Sequence, residues 1–224
     1  MINQQMLEGG RELGIDFTSQ QLLEFQMYHD AVMLWKDWVG LVSRNDLDRI
    51  VSRHFLDSLT PIPVGMIPET GSLVDIGSGA GFPGIPLAIC KRGISMGLIE
   101  SNRKKAGFMR YVVKTLGLDD RVSVHLVRAE TFASDLEKED LFDLAVSRAV
   151  GTIGLLVSLG APLLKPGGAL LLYKGVDIET EMNAAEDILS SSSCVLDNIY
   201  RLPASFSTNK CSLVVLRKNS LAIN

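Results

Sequence analysis

The chain has 224 residues, enough for one full domain with a sizeable buried core and a short extension, and its 46% hydrophobic and 21% charged composition is that of an ordinary globular protein. A formal net charge of −4 argues against a protein that coats nucleic acid without selectivity, yet it allows a local basic face where phosphates pass. Three cysteines, Cys90, Cys194 and Cys211, are odd in number, widely spaced and without a CxxC or a nearby histidine pair, so neither a disulfide framework nor a metal site is expected.

Residues 1–14 carry no basic segment followed by an apolar one, so no secretory leader is read there. From Thr18 to about Val64 the pattern is helical. Thr18 and Gln21 form a capping box, and Leu22, Phe25, Tyr28, Val32 and Trp35 recur at three- or four-residue spacing. A second helix is expected to start near Asn45 or Asp46, run through Ile50, Val51 and Phe55, and stop before Pro61. Residues 1–64 are read as an N-terminal helical extension packed on a core formed by residues 65–224.

From about Ser72 the pattern changes. Short apolar runs at 72–76, 95–99, 122–127, 142–146 and 169–173 alternate with helical segments, clearest at 102–116 and at 152–164, the latter closed by Lys165-Pro166-Gly167-Gly168. Uninterrupted apolar runs suit strands buried on both faces of a parallel sheet, and the alternation implies a doubly wound α/β fold. A helix is expected at 177–189. Two strand-like runs follow at 195–202 and 211–217 with no helix between them, a pattern that permits antiparallel pairing at the sheet edge. The most apolar stretch, 153–164, is too short to cross a bilayer and is broken by Pro162. A cytoplasmic protein with no membrane partner is expected.

The first strand delivers the chain into Gly77-Ser78-Gly79-Ala80-Gly81. Glycines there permit positive φ and close approach of backbone to a ligand, and the carboxyl end of a first strand is where open α/β sheets bind nucleotides. A GxG alone is a weak signal. Its spacing differs from the GxGxxG of dinucleotide folds. Asp75, two residues before the turn, suits the amino-acid end of a cationic cofactor; a turn-forming carboxylate is the simpler alternative. Glu100 ends the second strand at about the ~20-residue offset where an acidic residue meets ribose hydroxyls, unless it only faces solvent. These features favour S-adenosylmethionine, which has no phosphate and needs no Walker lysine.

The run Leu73-Val74-Asp75-Ile76-Gly77-Ser78-Gly79-Ala80-Gly81-Phe82-Pro83-Gly84-Ile85-Pro86-Leu87-Ala88-Ile89 resembles the signature of the glucose-inhibited division protein B family, bacterial small-subunit ribosomal RNA methyltransferases that modify guanosine at N7. The resemblance extends through Arg53-His54-Phe55-Leu56-Asp57-Ser58-Leu59, Arg103-Lys104-Lys105, Arg128-Ala129-Glu130, Ser147-Arg148-Ala149-Val150, Leu163-Leu164-Lys165-Pro166-Gly167-Gly168 and Lys174-Gly175. It implies a Rossmann-like class I methyltransferase acting on 16S ribosomal RNA or the small ribosomal subunit. It also implies that Gly77 and Phe82 line the cofactor pocket together with the rest of the turn, Gly79 included. Ala129 and Glu130 would border the adenine, and Arg148 would contact the site. Two features depart from the family: Trp35-Lys36 and Gly40-Leu41-Val42-Ser43 replace a tryptophan-asparagine pair and an Asn-Leu-Thr-like stretch, and Glu100 replaces an aspartate while keeping the carboxylate.

Methyl transfer from a sulfonium is an in-line displacement helped mainly by alignment, and guanine N7 offers a lone pair without losing a proton. The position after the fourth strand reads Ser147-Arg148-Ala149, with neither an Asn-Pro-Pro-Tyr motif nor a cysteine for covalent attack on a pyrimidine. Arg148 is the expected catalytic residue, placing base or cofactor; the alternative is a strand-end arginine paired with Asp143 or Glu130. Arg103, Lys104, Lys105, Arg110 and Lys114 form a run without an acidic residue and are expected to track phosphates, with Arg53 and His54 adding to it. His54 is equally a capping or core-edge histidine. Trp35 and Trp38 can stack a base or pack the helical extension onto the sheet. A monomer is expected. Rival functions are a methyltransferase acting on a small molecule or protein, an NAD-dependent oxidoreductase, disfavoured by the glycine spacing and the lack of a Ser/Tyr/Lys set, and a noncatalytic nucleotide-binding regulator.

Overall fold

Residues 2–134, 142–175, 177–202 and 211–220 are described by a computed structural model. Helix α1 (Ile2–Leu13) opens the chain, and α2 (Ser19–Trp35) follows. The capping box is present: the Gln21 N–H donates to the Thr18 hydroxyl at 3.2 Å, and the Thr18 N–H donates to Gln21 Oε1 at 2.9 Å. Helix α1 goes beyond the sequence expectation. Its apolar residues are sparse, but Ile2, Met6, Gly10 and Leu13 fall on one buried face. The expected second helix is a composite of a 3-10 segment Arg44–Arg49, a π-helical turn Val51–Leu56 and the short α3 (Asp57–Leu59).

Beyond it, strands and helices alternate: β1 (Thr70–Ile76), α4 (Gly84–Cys90), β2 (Gly93–Glu100), α5 (Arg103–Thr115), β3 (Val122–Leu126), α6 (Ala129–Ala133), β4 (Phe142–Arg148), α7 (Ile153–Gly160), β5 (Leu164–Lys174), α8 (Ile178–Ala184), α9 (Glu186–Ser191), β6 (Cys194–Arg201) and β7 (Ser212–Lys218). Asn102 starts α5 by accepting from the Lys104 and Lys105 N–H groups at 2.9 and 3.2 Å. Two expectations need correction. Lys165, Pro166, Gly167 and Gly168 lie within β5 rather than closing a helix, and the helix expected at 177–189 breaks at Ala185 into α8 and α9.

The sheet has seven strands in the order β3-β2-β1-β4-β5-β7-β6. Pairings from β3 to β5 are parallel; β7 pairs antiparallel with both β5 and β6, so the reversed strand lies one in from the margin. Alternate residues face opposite layers. Leu73, Met96, Leu98, Leu144, Val146 and Leu171 belong to one buried cluster with apolar residues of α1, α2, α4 and α5, while Val74, Ile76, Ala145, Leu170 and Leu172 belong to another with those of α7 and its neighbours. The N-terminal helices thus share one hydrophobic core with the sheet. Strand order reverses between β1 and β4, and the crevice outside the carboxyl ends of these two strands is where such sheets take ligands.

Candidate active site

Gly77 and Gly79 leave β1 with φ of +72° and +59°. A Cβ on Gly77 would meet Val150 Cγ2 at 2.5 Å, whereas one on Gly79 would find nothing nearer than the Gly77 carbonyl oxygen at 4.0 Å, so the turn is packed on one side and open on the other. Three bonds tie the strand ends together. The Ser78 N–H donates to the Ile99 carbonyl (2.9 Å), the Gly79 N–H to Glu100 Oε2 (2.9 Å) and the Val127 N–H to the Glu100 carbonyl (3.2 Å). Gly77, Gly79 and Glu100 are therefore brought together, and Ala129 and Glu130 open α6 two residues beyond the last of these bonds, with Glu130 exposed.

Asp75 lies fully buried beneath this turn. Its Oδ2 accepts from the Gly84 N–H at 2.9 Å, and its Oδ1 has no hydrogen-bond partner among the described residues. Burial pushes the carboxyl up to about 7, opposed by the Gly84 N–H and by the Arg148 charge. An orphaned buried oxygen beside an open glycine backbone fits a ligand that brings a cation.

Phe82 closes the turn at the centre of an aromatic cluster. Tyr28 stacks on it at 5.4 Å between centroids, His54 lies at 4.9 Å and Phe55 at 5.9 Å, and the Arg148 guanidinium carbon stands 5.3 Å from the ring centre. The ring is buried, so the turn meets the N-terminal helices through it. The Tyr28 hydroxyl donates to the Ala80 carbonyl, a second tie between α2 and the turn.

Arg148, at the end of β4, does not pair with Asp143 or Glu130. Its Nη1 donates to Asp57 Oδ2 and to the Arg53 carbonyl, both at 3.1 Å, and its Nη2 to His54 Nδ1 at 2.8 Å. Asp143 instead holds Lys165 at 2.8 Å and the Ser72 N–H at 2.8 Å. Burial, and then the Arg148 charge, push His54 down to about 4, so its ring is neutral near pH 7. Since arginine only donates, Nδ1 is the acceptor and the ring proton sits on Nε2, which is buried without a hydrogen-bond partner among the described residues. Ala149 follows with φ +60°, a left-handed conformation costing about 1 kcal/mol in a residue with a Cβ.

These groups wall a cavity of about 350 Å³ at the carboxyl ends of β4 and β5, lined by Arg53, His54, Asp57, Arg148, Lys174 and Cys211 among others. Lys174 is held by Glu181 at 2.7 Å and the Gly151 carbonyl at 2.8 Å, and the Tyr173 hydroxyl donates to the Ser58 carbonyl at 2.6 Å. Burial pushes the Cys211 thiol up to about 12, which makes it a poor nucleophile. Sequence reasoning does not single out Asp57, Tyr173 or Lys174 as site residues. Asp57 is visible there only as part of the Arg53–Leu59 segment, and its meeting with Arg148 spans 91 residues.

Of the expected basic track, Arg103, Lys104, Arg110 and Lys114 are exposed and Lys105 is partly covered. The first three residues of α5 follow directly on Glu100 and its Asn102 cap. Arg53 is turned to Asp46 at 2.6 Å rather than displayed on the surface. Trp35 packs on Phe108 and Tyr111 of α5, whereas Trp38 is 77% exposed, so only the first tryptophan ties the helical region to the core. No described helix is long and apolar enough to cross a membrane.

Comparison with known proteins bears on the fold and the family. TYW2 of M. jannaschii in complex with AdoMet superposes with a TM-score of 0.55 at 17% identity, covering 80% of this chain and 77% of that one. TYW2 of P. horikoshii in complex with MeSAdo gives 0.56 at 12%, covering 80% and 65%. At such identities the likeness is one of fold. Sequence relatives are nearer: the ribosomal RNA small subunit methyltransferase G of Pelotomaculum thermopropionicum is 35% identical over 211 residues, 94% of this chain and 88% of the relative. The protein of the same name from Lachnoclostridium phytofermentans is 35% identical over 184 residues, 82% and 76% of the two chains. The family model described as rRNA small subunit methyltransferase G matches residues 21–207, and the chain belongs to that family.

Proposed function

We propose that this chain transfers the methyl group of S-adenosylmethionine to N7 of a guanosine in 16S ribosomal RNA, alone or within the small subunit, acting as a cytoplasmic monomer. The observation that carries this reading is the cavity at the carboxyl ends of β4 and β5, where Arg148 is tied to Asp57 and His54 and the Cys211 thiol, pushed up by burial, is not activated. N7 methylation consumes a lone pair and releases no proton, so such a cavity needs only to bind and orient the acceptor.

Bound cofactor supplies an electrophilic methyl group on a sulfonium. The Gly77 and Gly79 backbone would border it on the open side of the turn, where Gly79 leaves room and Gly77 is backed by Val150, and the Phe82 backbone would border it where the ring is buried. Glu100 would face its ribose hydroxyls, Asp75 would answer its cationic end, and Ala129 and Glu130 would flank its adenine. Arg148, held from three sides by the residues 53–57 segment, keeps acceptor and donor compartments in register. Residues 1–64 form the extension that supplies the far wall of the acceptor cavity, and the start of α5 offers Arg103, Lys104 and Lys105 to the RNA backbone.

The test is to offer labelled S-adenosylmethionine with three acceptors prepared from cells lacking this protein: ribosomal RNA, small subunits and the protein fraction. Label is expected in small-subunit RNA. Incorporation only into protein or small molecules would overturn the reading.

A further inference from the structure

The polar contacts of α2 with the core form one row that ends on the glycine turn. The Gln21 side chain donates to the Ile89 and Cys90 carbonyls at the end of α4, at 3.4 and 3.3 Å, and Glu24 accepts from Arg92 at 2.6 Å. The Tyr28 hydroxyl donates to the Ala80 carbonyl. Spacings of three, four and seven residues keep all three side chains on one helix face. Gln21 and Glu24 grip the far end of α4, whereas Tyr28 reaches the turn before it. The Tyr28 ring is fully buried among Phe55, Phe82 and Phe108, at 5.2, 5.4 and 6.4 Å between centroids, so its hydroxyl is aimed at the turn from an aromatic pocket.

The bond acts on one peptide unit. In the trans peptide joining Ala80 to Gly81 the carbonyl and the N–H point in opposite directions, so holding one orients the other. The carbonyl is held by Tyr28, and the Gly81 N–H donates to the Ser78 carbonyl at 2.7 Å, which closes the turn. Gly81 has φ +96°, and a Cβ there would meet Ile85 at 2.4 Å and the Tyr28 hydroxyl oxygen at 2.8 Å. A glycine permits the peptide rotation that the hydroxyl opposes.

We propose that Tyr28 is a positioning residue for S-adenosylmethionine: its hydroxyl holds the Ala80–Gly81 peptide in the orientation that shapes the turn for the cofactor, so the N-terminal extension takes part in cofactor binding. The inference rests on the placement of the cofactor at this turn given above. A turn already held in its bound shape binds without the cost of ordering it.

The experiment measures cofactor affinity by calorimetry, and steady-state methylation of small-subunit RNA, in Tyr28→Phe, which removes the hydroxyl and keeps the ring. Kd and KM for S-adenosylmethionine are expected to rise by about tenfold, the scale of one buried carbonyl left unpaired, while kcat at saturating cofactor and KM for RNA are unchanged. Gln21→Ala loosens the same helix at its other end and is expected to keep the wild-type Kd, which separates positioning of the turn from general docking of α2. Circular dichroism establishes that each variant is folded before titration. An unchanged Kd in Tyr28→Phe, or an equal rise in Gln21→Ala, overturns the proposal. If Gly77→Ala also binds the cofactor as the wild type does, the placement of the cofactor at the turn falls as well; weakened binding there with Tyr28→Phe unaffected overturns the role of Tyr28 alone.

Discussion

The two halves of the site are built by opposite means. The half we assign to the cofactor is centred on one continuous stretch of backbone, where β1, the glycine turn and α4 bring Asp75, Gly77, Gly79 and Gly84 together within ten residues and Glu100 reaches in from the end of β2. The acceptor half is made by side chains from distant segments, where Arg148 meets His54 across 94 residues and Asp57 across 91. A local backbone device depends on φ values and tolerates few side chains at its glycines. A long-range side-chain device depends on every partner being present, and Arg148 is the piece that touches both halves.

The largest expected effect follows from removing that piece. Arg148→Ala leaves Asp57 and His54 without their shared donor, and methyl transfer should fall by about 100-fold, the scale of a misplaced acceptor. Stability should fall by about 3 kcal/mol in urea unfolding, because a largely buried ion pair is broken and the Arg148 bonds to His54 and the Arg53 carbonyl go with it. Normal turnover with normal cofactor affinity in this variant would break the link between the halves.

Gly77→Ala probes the backbone half. It combines a left-handed φ, costing about 1–2 kcal/mol, with a clash against Val150. Cofactor binding by calorimetry should weaken by about tenfold, the scale of such strain. Gly107→Ala, where an added Cβ meets nothing within 4 Å inside helix α5, should instead be neutral or stabilising by up to about 1 kcal/mol. Equal behaviour of the two variants would contradict the idea that the turn's conformation matters.

A smaller effect depends on pH. The folded pKa of Asp75, about 7, lies above the ordinary value of 3.8, so the folded state binds the extra proton between these limits. Measured against Asp75→Asn, wild-type stability without cofactor should be greatest below about pH 4 and decline as pH rises toward 7. Saturating S-adenosylmethionine should flatten that decline by pairing the carboxylate. Parallel stability profiles for the two proteins would show that Asp75 is not a strained carboxyl.

The smallest effect concerns the rim. Replacing Arg103 and Lys104 by alanine should leave cofactor binding intact and reduce the slope of log affinity against log salt for RNA by about one to two, near one per lost phosphate contact. An unchanged slope would move the RNA track elsewhere.

The same contrast between local and long-range construction separates what the amino-acid pattern reveals from what only the folded chain shows. The strand-helix alternation, the capping box at Thr18 and the glycine turn are local signals, and each appears where its pattern places it. Helix α1 escapes the pattern because its four buried residues are diluted by polar ones, and the α8–α9 break at Ala185 has no proline or glycine to mark it. Arg148 is recognisable as a residue, but its partners are not, since Asp143 and Glu130 are nearer in sequence while the fold brings up Asp57 and His54. Burial of Phe82 under the N-terminal helices, and the donor left on His54 Nε2, depend on packing between segments that no local pattern relates.

The central claim is that the acceptor cavity orients a base that surrenders no proton. The direct measurement is to methylate small-subunit RNA with this protein, reduce it with borohydride and cleave with aniline, which breaks the strand at 7-methylguanosine. A single cleavage at one guanosine, dependent on S-adenosylmethionine, is the predicted result. Methylated RNA that resists cleavage, with the label on an exocyclic nitrogen or a ring carbon, would contradict it.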